Sequence, residues 1–482
     1  MKSRPAEASA PLLKEPDDAT LAGLRAALER ADYTSASIAG ALGRRPPLAL
    51  ARREVYLRRL AEAGALGTLI RLFRLREPVA PAEATAALEP ADLDALIEAG
   101  FLERGAEGVL GRVEISSYAG LLLVHDRAEP SQAAAGWEVL FGAASRTLAA
   151  LTIRRPVRIA LDLGTGCGVQ ALLAARHAEH VVATDLGERA LAFTRINARL
   201  NGLGNVETRQ GNLFEPVAGE HFGLIVSNPP FVISPATEVL FRDSRLPRDE
   251  ISGHVVAEAQ ARLEEGGNAT ILCSWIAPAE GHWSTPLRPW AREGCDAVFL
   301  QFTSARPLDY AAMWTDELDS WLDYYRAGGI EWLSTGAAVL RRSAPGGRVV
   351  AFQATCAPRE DATEQLLRVF AALEQLDAND SDDWFLAGRF RLVEHRLDQV
   401  VNWRDGGYSV DLTGVAIDGT PLNARVETDA IHVLGRLDGS TALSDVVDRA
   451  ATETGLARAQ VEQATLTTFR RLYERGFLIR AS

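Results

Sequence analysis

Apolar residues recur at three- and four-residue intervals from Thr20 to about Ala99, first at Leu21, Leu24, Leu28 and Ala31, then at Leu57, Leu60, Leu66, Ile70 and Phe73. That period gathers them on one face of each helix. Pro46-Pro47 and Pro81 punctuate the region. Pro90-Ala91-Asp92 opens a further helix through Leu93, Leu96 and Ile97, which stops at Gly100. The pattern then becomes alternating, which predicts strands over 109–115 and 121–124. Helices followed by a β-ribbon predict a winged-helix-like unit behind a polar, Pro-containing tail over 1–18. The strongly basic recognition helix that DNA binding requires is absent from it.

From Val157 strands and helices alternate. Strands are predicted over 157–163, 181–184, 206–209 and 222–227, with helices over 169–178 and 188–200, the second closed by Gly202. A helix over 251–263 and a strand over 269–274 follow an irregular loop. Such alternation predicts a parallel sheet covered on both faces, with ligands at the carboxyl ends of its strands. Pro358-Arg-Glu-Asp361 suggests a boundary. Beyond it come a helix over 362–376, an acidic linker over 377–383, strands over 390–394 and 408–412, and helices over 430–437, 443–451 and 461–476. The expected organisation is a tail (1–18), an N-terminal helical/winged-helix-like domain (19–139), an α/β catalytic domain (140–358) and a C-terminal α+β extension (359–482).

The chain has 482 residues, 51 Lys and Arg against 64 Asp and Glu, and a net charge of −13. Lys2 and Lys14 are its only lysines. Divided after residues 150 and 358, the three segments carry −2, −4 and −7. No segment is basic overall, which argues against sequence-independent binding to nucleic acid or anionic membrane. Cys167, Cys273, Cys295 and Cys356 form no CxxC pair, and the eight histidines are scattered, so no metal site is expected. Scattered free thiols suit a reducing cytoplasm. No run of about 18 apolar residues is present to span a membrane. The first residues, with Lys2, Arg4, Pro5 and Glu7, do not read as a secretory leader.

Chemistry concentrates at strand ends. Asp162-Leu-Gly164-Thr165-Gly166-Cys-Gly168 lies where a strand turns into a helix. Its glycines permit a sharp turn and close approach of a ligand to backbone. Asp185 ends the second strand, 21 residues after Gly164, where a carboxylate can accept both hydroxyls of a ribose or cap the next helix. Gly211-Asn212-Leu213 follows the third strand. Leu186 and Leu213 can flank a flat ring or belong to the core. Asn228-Pro229-Pro230-Phe231 ends the fourth strand. Two prolines stiffen that turn and remove two N–H donors. The Asn228 carboxamide oxygen and the Pro229 carbonyl can then accept both hydrogens of a planar NH2 group, and Phe231 can stack on it.

The G-x-G-x-G spacing after Asp162 resembles the cofactor loop of class I S-adenosylmethionine (SAM) methyltransferases. With Asn-Pro-Pro-Phe added, residues from about 140 to 275 resemble the amino-group-methylating branch of those enzymes. That branch includes the release-factor glutamine methyltransferases (HemK family) and the methyltransferase small domain enzymes acting on base amines. The resemblance implies a Rossmann-like core and SAM as cofactor, held by Asp162, Gly164, Thr165, Gly166, Gly168, Asp185, Leu186, Asn212 and Leu213. It implies that Asn228, Pro229, Pro230 and Phe231 orient the acceptor. Asn212 stands where the family often has Asp, and Phe231 where the glutamine branch usually has Tyr.

The expected activity is methylation of a protein glutamine amide. Alternatives are guanine N2 or adenine N6 of RNA or DNA, or a non-catalytic SAM-binding regulator. The acidic segments rank a protein or peptide partner before nucleic acid. The N-terminal domain is a candidate homodimer interface. Ser145, Arg146 and Thr147 occupy the place of a family segment over the methionine end of SAM. Arg242, Arg245 and Arg248 mark a loop that can serve as a lid or a solvated surface. Tyr310, Trp314, Trp321, Tyr324, Tyr325 and Trp332 form either a partner surface or core. The C-terminal turn Leu437-Asp-Gly-Ser-Thr441 and the close Glu474-Arg-Gly-Phe-Leu478 loosely resemble small peptide-holding winged-helix modules.

Overall fold

A computed structural model describes residues 13–43, 53–127, 139–235, 248–343, 347–354, 357–358, 360–379, 381–404 and 407–481. Pro46-Pro47, most of the Arg-rich loop and Cys356 lie outside the described residues, as does most of the tail. The N-terminal helices are α1 (Asp18–Arg30), α2 (Ser35–Leu42), α3 (Arg53–Ala61), α4 (Gly64–Ile70), α5 (Pro81–Leu88) and α6 (Leu93–Glu98). Caps define several of their starts. Asp17 accepts from the Thr20 amide at 2.7 Å, and Asp92 accepts from the Asp94 and Ala95 amides at 2.7 and 3.1 Å. Helix α6 therefore begins after Asp92.

The expected ribbon is two hairpins, β1 (Leu102–Gly105) with β2 (Gly108–Gly111), and β3 (Glu114–Tyr118) with β4 (Leu121–His125). The strand expected over 109–115 breaks at Arg112-Val113 because both amides turn to the Phe101 carbonyl, at 2.9 and 3.4 Å.

The central elements are α7 (Ala143–Leu151), β5 (Val157–Leu163), α8 (Val169–Ala174), β6 (Ala178–Asp185), α9 (Glu188–Leu200), β7 (Val206–Gln210), β8 (Phe222–Ser227), α10 (Glu250–Ala261) and β9 (Leu263–Ala277). After them come β10 (Cys295–Ala305), α11 (Pro307–Ala312), α12 (Leu318–Ala327), β11 (Trp332–Arg342) and β12 (Val349–Gln353). The eight strands form one sheet in the order β7-β6-β5-β8-β9-β11-β10-β12. The strands predicted up to Ser274 pair in parallel, as expected, and the whole sheet is mixed only through a later strand. Strand β11 runs antiparallel to both β9 and β10, because the chain returns from β10 through α11 and α12 at the same sheet edge. Helix α8 is shorter than expected because β6 already pairs at Ala178, opposite Val157.

One apolar cluster joins the N-terminal unit to this core. It holds Leu24, Phe73, Leu96, Phe101 and Leu123 together with Cys167, Leu172, Phe193 and Ile196. Helix α13 (Thr363–Ala378) does the same at the other end. Leu366, Val369, Phe370 and Leu373 pack in the cluster of sheet residues Val298 and Leu300, while Ala372 and Leu376 pack with Phe385, Phe390 and Leu472. The expected acidic linker is therefore short, since α13 runs to Ala378 and α14 (Asp382–Leu386) starts behind the Ser381 cap. The remainder is β13 (Phe390–Leu392), β14 (Arg396–Arg404), β15 (Gly407–Ala416), β16 (Asn423–Val426), α15 (Ile431–Leu434), α16 (Leu443–Thr454), α17 (Arg458–Glu474) and β17 (Leu478–Arg480).

Candidate functional site

Strand register brings the four motif turns to one sheet edge. Leu163 pairs with Thr184 on one side and Ser227 on the other, and Asp185 pairs with Gln210. The turns after β5, β6, β7 and β8 therefore leave the sheet side by side, at its carboxyl edge. The Ser227 hydroxyl donates to the Leu163 carbonyl at 2.8 Å and ties the first turn to the fourth.

The glycine turn is held by its own residues and by α9. Gly164, Gly166 and Gly168 have φ of 73°, 56° and 82°. A Cβ on Gly164 would meet nothing within 4 Å, so that position borders open space. On Gly168 it would lie 2.9 Å from the Thr194 side chain, so Gly168 lets α9 pack against the turn. Asp162 and Thr165 are buried behind the turn. The Asp162 carboxylate accepts from the Thr165 hydroxyl at 2.7 Å and the Ala171 amide at 2.9 Å. Burial outweighs those contacts and pushes its pKa up to about 7.

Asp185 bridges two turns. One oxygen accepts from the Gly166 amide at 3.0 Å and the other from the Gly187 amide at 2.9 Å. Burial raises its pKa against those bonds. Leu186 beside this half-buried carboxylate is 44% exposed. Asn212 is exposed, and Leu213 is half-buried with a φ of 46°.

Asn228 is half-buried, and its carboxamide has no hydrogen-bond partner among the described residues. Pro229 is buried, Pro230 half-buried, and Phe231 packs partly against the clusters on both sides. Beneath the turn lies the aromatic group from α11 and α12. Tyr310, Trp321 and Tyr325 form one buried cluster with Val232 and Ile233. These aromatics are core, and the core they form is that of the turn.

Ser145 lies close to the glycine turn, its carbonyl accepting from the Gln170 side chain at 2.7 Å. Thr147 is buried, and Arg146 lies over the Phe141 ring at 5.0 Å. Sequence reasoning missed Thr194 and Asn197 on α9. Thr194 donates to the Gly166 carbonyl at 3.1 Å. Asn197 donates to the Val124 and Cys167 carbonyls, both at 2.8 Å, and accepts from the Val124 amide at 2.7 Å. Two polar residues among the apolar positions of α9 were the available signal. No helix among the described residues is long and apolar enough to cross a membrane.

Residues 141–281 match the model of the methyltransferase small domain, and residues 30–112 match a model described as a domain of unknown function, DUF7059. The release factor glutamine methyltransferase of Xylella fastidiosa is 38% identical over 126 residues, which cover 24% of this chain and 46% of that protein. Its counterpart in Deinococcus radiodurans is 35% identical over 152 residues, covering 27% and 52%. The chain thus spans about half the length of the curated relatives it matches. Among solved structures, Trm5b from Pyrococcus abyssi aligns with a TM-score of 0.30 at 14% identity, over 50% of this chain and 62% of that one.

Proposed function

We propose, from the premise that residues 141–281 are a methyltransferase small domain, that the chain methylates a glutamine amide in a protein, with SAM as methyl donor. SAM supplies an electrophilic methyl on a sulfonium. The chain's own residues bind and orient. The turn fits such a group: Gly164 borders open space, and each Asp185 oxygen keeps a lone pair for a ribose hydroxyl after accepting one backbone N–H. Leu186 and Leu213 would flank the adenine, with Asn212 at its edge. Asp162 and Thr165 act through the loop they brace.

The observation that carries the reading is the Asn228 carboxamide, unpartnered among the described residues and one strand away from that turn. Its oxygen and the Pro229 carbonyl accept the two hydrogens of the acceptor NH2, and Phe231 covers the flat group. An amide nitrogen is a poor nucleophile because its lone pair is delocalised. Holding both hydrogens favours pyramidal nitrogen and in-line approach, so positioning and fixed dipoles supply most of the rate. The N–C bond forms as the C–S bond breaks, and the nitrogen then sheds one proton to water.

The test is methyl transfer from tritiated SAM into a bacterial extract, followed by protease or nuclease. Protease-sensitive label that appears as methylglutamine on hydrolysis is expected. Label removed by nuclease instead would assign a base amine and overturn the reading. The free thiols Cys167, Cys273 and Cys295 are buried, in keeping with action in a reducing cytoplasm.

A further inference from the structure

The acceptor turn ends in a clamp that no local motif supplies. Ile233, five residues beyond Asn228, is fully buried. Its amide donates to the Tyr310 hydroxyl at 3.2 Å, and its carbonyl accepts from the Tyr325 hydroxyl at 2.7 Å. Both backbone groups of one residue are thus satisfied by phenols from α11 and α12. The rings meet edge to face, with centroids 6.3 Å apart, and Trp321 packs on Tyr325 in the same manner. At the base of the connection from β10 to β11, the Arg306 guanidinium lies 4.2 Å over the Trp332 ring and holds the two ends of the excursion together.

The chemistry explains why such a clamp is needed. Pro229 and Pro230 have no amide hydrogen, so the chain leaving β8 cannot continue a ladder there. A buried backbone N–H or C=O without a partner costs about 1–3 kcal/mol. The two phenols satisfy both groups and pin the chain at Ile233, just beyond the two prolines. Burial raises the pKa of each phenol, so both remain protonated and able to bond.

We infer that Tyr310 and Tyr325 are positioning residues for methyl transfer: through Ile233 they fix the Asn228-Pro-Pro-Phe turn in the geometry that receives the acceptor amide. The inference rests on the function proposed above. It makes the segment from Arg306 to Trp332, which lies beyond the matched methyltransferase domain, part of the acceptor site's frame.

The test uses the full-length protein and three conservative variants, Tyr310→Phe, Tyr325→Phe and Tyr324→Phe. The last removes a hydroxyl that accepts instead from the Arg248 amide at 3.2 Å, and it serves as the control. Hydrogen exchange is followed in peptides covering 228–235 and 161–170, with SAM affinity by calorimetry and tritium transfer into the protein fraction of a bacterial extract. Tyr310→Phe and Tyr325→Phe should speed exchange over 228–235 about tenfold and leave 161–170 and the SAM Kd unchanged. They should cut transfer about tenfold at saturating SAM. Tyr310→Phe should do more, since an orphaned N–H has fewer alternatives than an orphaned C=O.

Unchanged exchange over 228–235 overturns the clamp. Faster exchange with unchanged transfer overturns the positioning role. Equal losses in both peptides and in SAM affinity mark a general loosening and also overturn it. A wild-type protein that binds SAM but labels no protein overturns the acceptor proposed above, and the exchange rates still decide the clamp.

Discussion

The two halves of the sheet edge are built in different ways. The half proposed to hold the cofactor is local: its turns are shaped by positive φ at three glycines, and its carboxylates bond to amides 2, 9 and 19 residues away. The acceptor half is remote: the hydroxyls that hold Ile233 lie 77 and 92 residues further along the chain. A nucleoside cofactor presents the same atoms to every enzyme that uses it, so a short stretch of chain can encode its cradle. An acceptor differs from enzyme to enzyme. Here the tetrapeptide proposed to orient it is local, but the frame beneath it comes from the helical connection between β10 and β11.

The largest separation of the halves is expected at Asn228. In the proposed function, Asn228→Ala removes one of two hydrogen-bond acceptors for the substrate NH2, and it touches no bond of the glycine turn. By analogy with loss of one preorganised transition-state contact, turnover should fall about 100- to 1,000-fold. The SAM Kd should stay within twofold. Steady-state transfer and calorimetry on the same preparation check both. A matching loss of SAM affinity would mean that the two halves are one site and that the division drawn above is wrong.

Asp185→Ala is the reciprocal variant. It removes the carboxylate that accepts from the Gly166 and Gly187 amides and, in the proposed function, from the ribose. Loss of charge-assisted bonds should cost about 2 kcal/mol, or roughly 30-fold in SAM Kd. Turnover at saturating SAM should change far less than in Asn228→Ala. Unchanged affinity would remove Asp185 from the cofactor site and leave it a brace between two turns.

The same division explains what could be read from sequence. Glycines after a strand, a carboxylate at the end of the next, and two prolines after the fourth are each signals within a few residues. Each lies where the structure has a strand end. The aromatic group at Tyr310–Tyr325 was visible as a composition, but its partner Ile233 was not, because nothing local marks a contact 77 residues away. The reversal of β11 was hidden for the same reason. Its apolar run suits either direction, and the turn of the chain is made by α11 and α12 before it. The break at Arg112-Val113 depended on a carbonyl from Phe101, outside the alternating run that predicted a single strand.

The subtlest contrast is electrostatic. The acceptor turn from Ser227 to Val232 has no titratable side chain, whereas the cofactor turn is backed by Asp162. Burial raises the Asp162 pKa from 3.8 to about 7, chiefly by desolvation and further through the charge of Asp185. Its proton is therefore held more tightly in the folded chain than in the unfolded one. The stabilisation from that proton is complete below pH 3.8 and is lost as pH rises to about 7. Asp162→Asn cannot lose a proton. The stability of the wild-type protein relative to Asp162→Asn should thus fall by up to about 1.4 kcal/mol per pH unit across that window, then level off. Urea melts of both proteins at pH 5, 6, 7 and 8 measure the difference, and shared acid effects cancel in it. Parallel curves would show that Asp162 is ionised throughout, held so by the Thr165 hydroxyl and the Ala171 amide. The glycine turn would then rest on a permanent buried charge rather than on a proton that the neutral range removes.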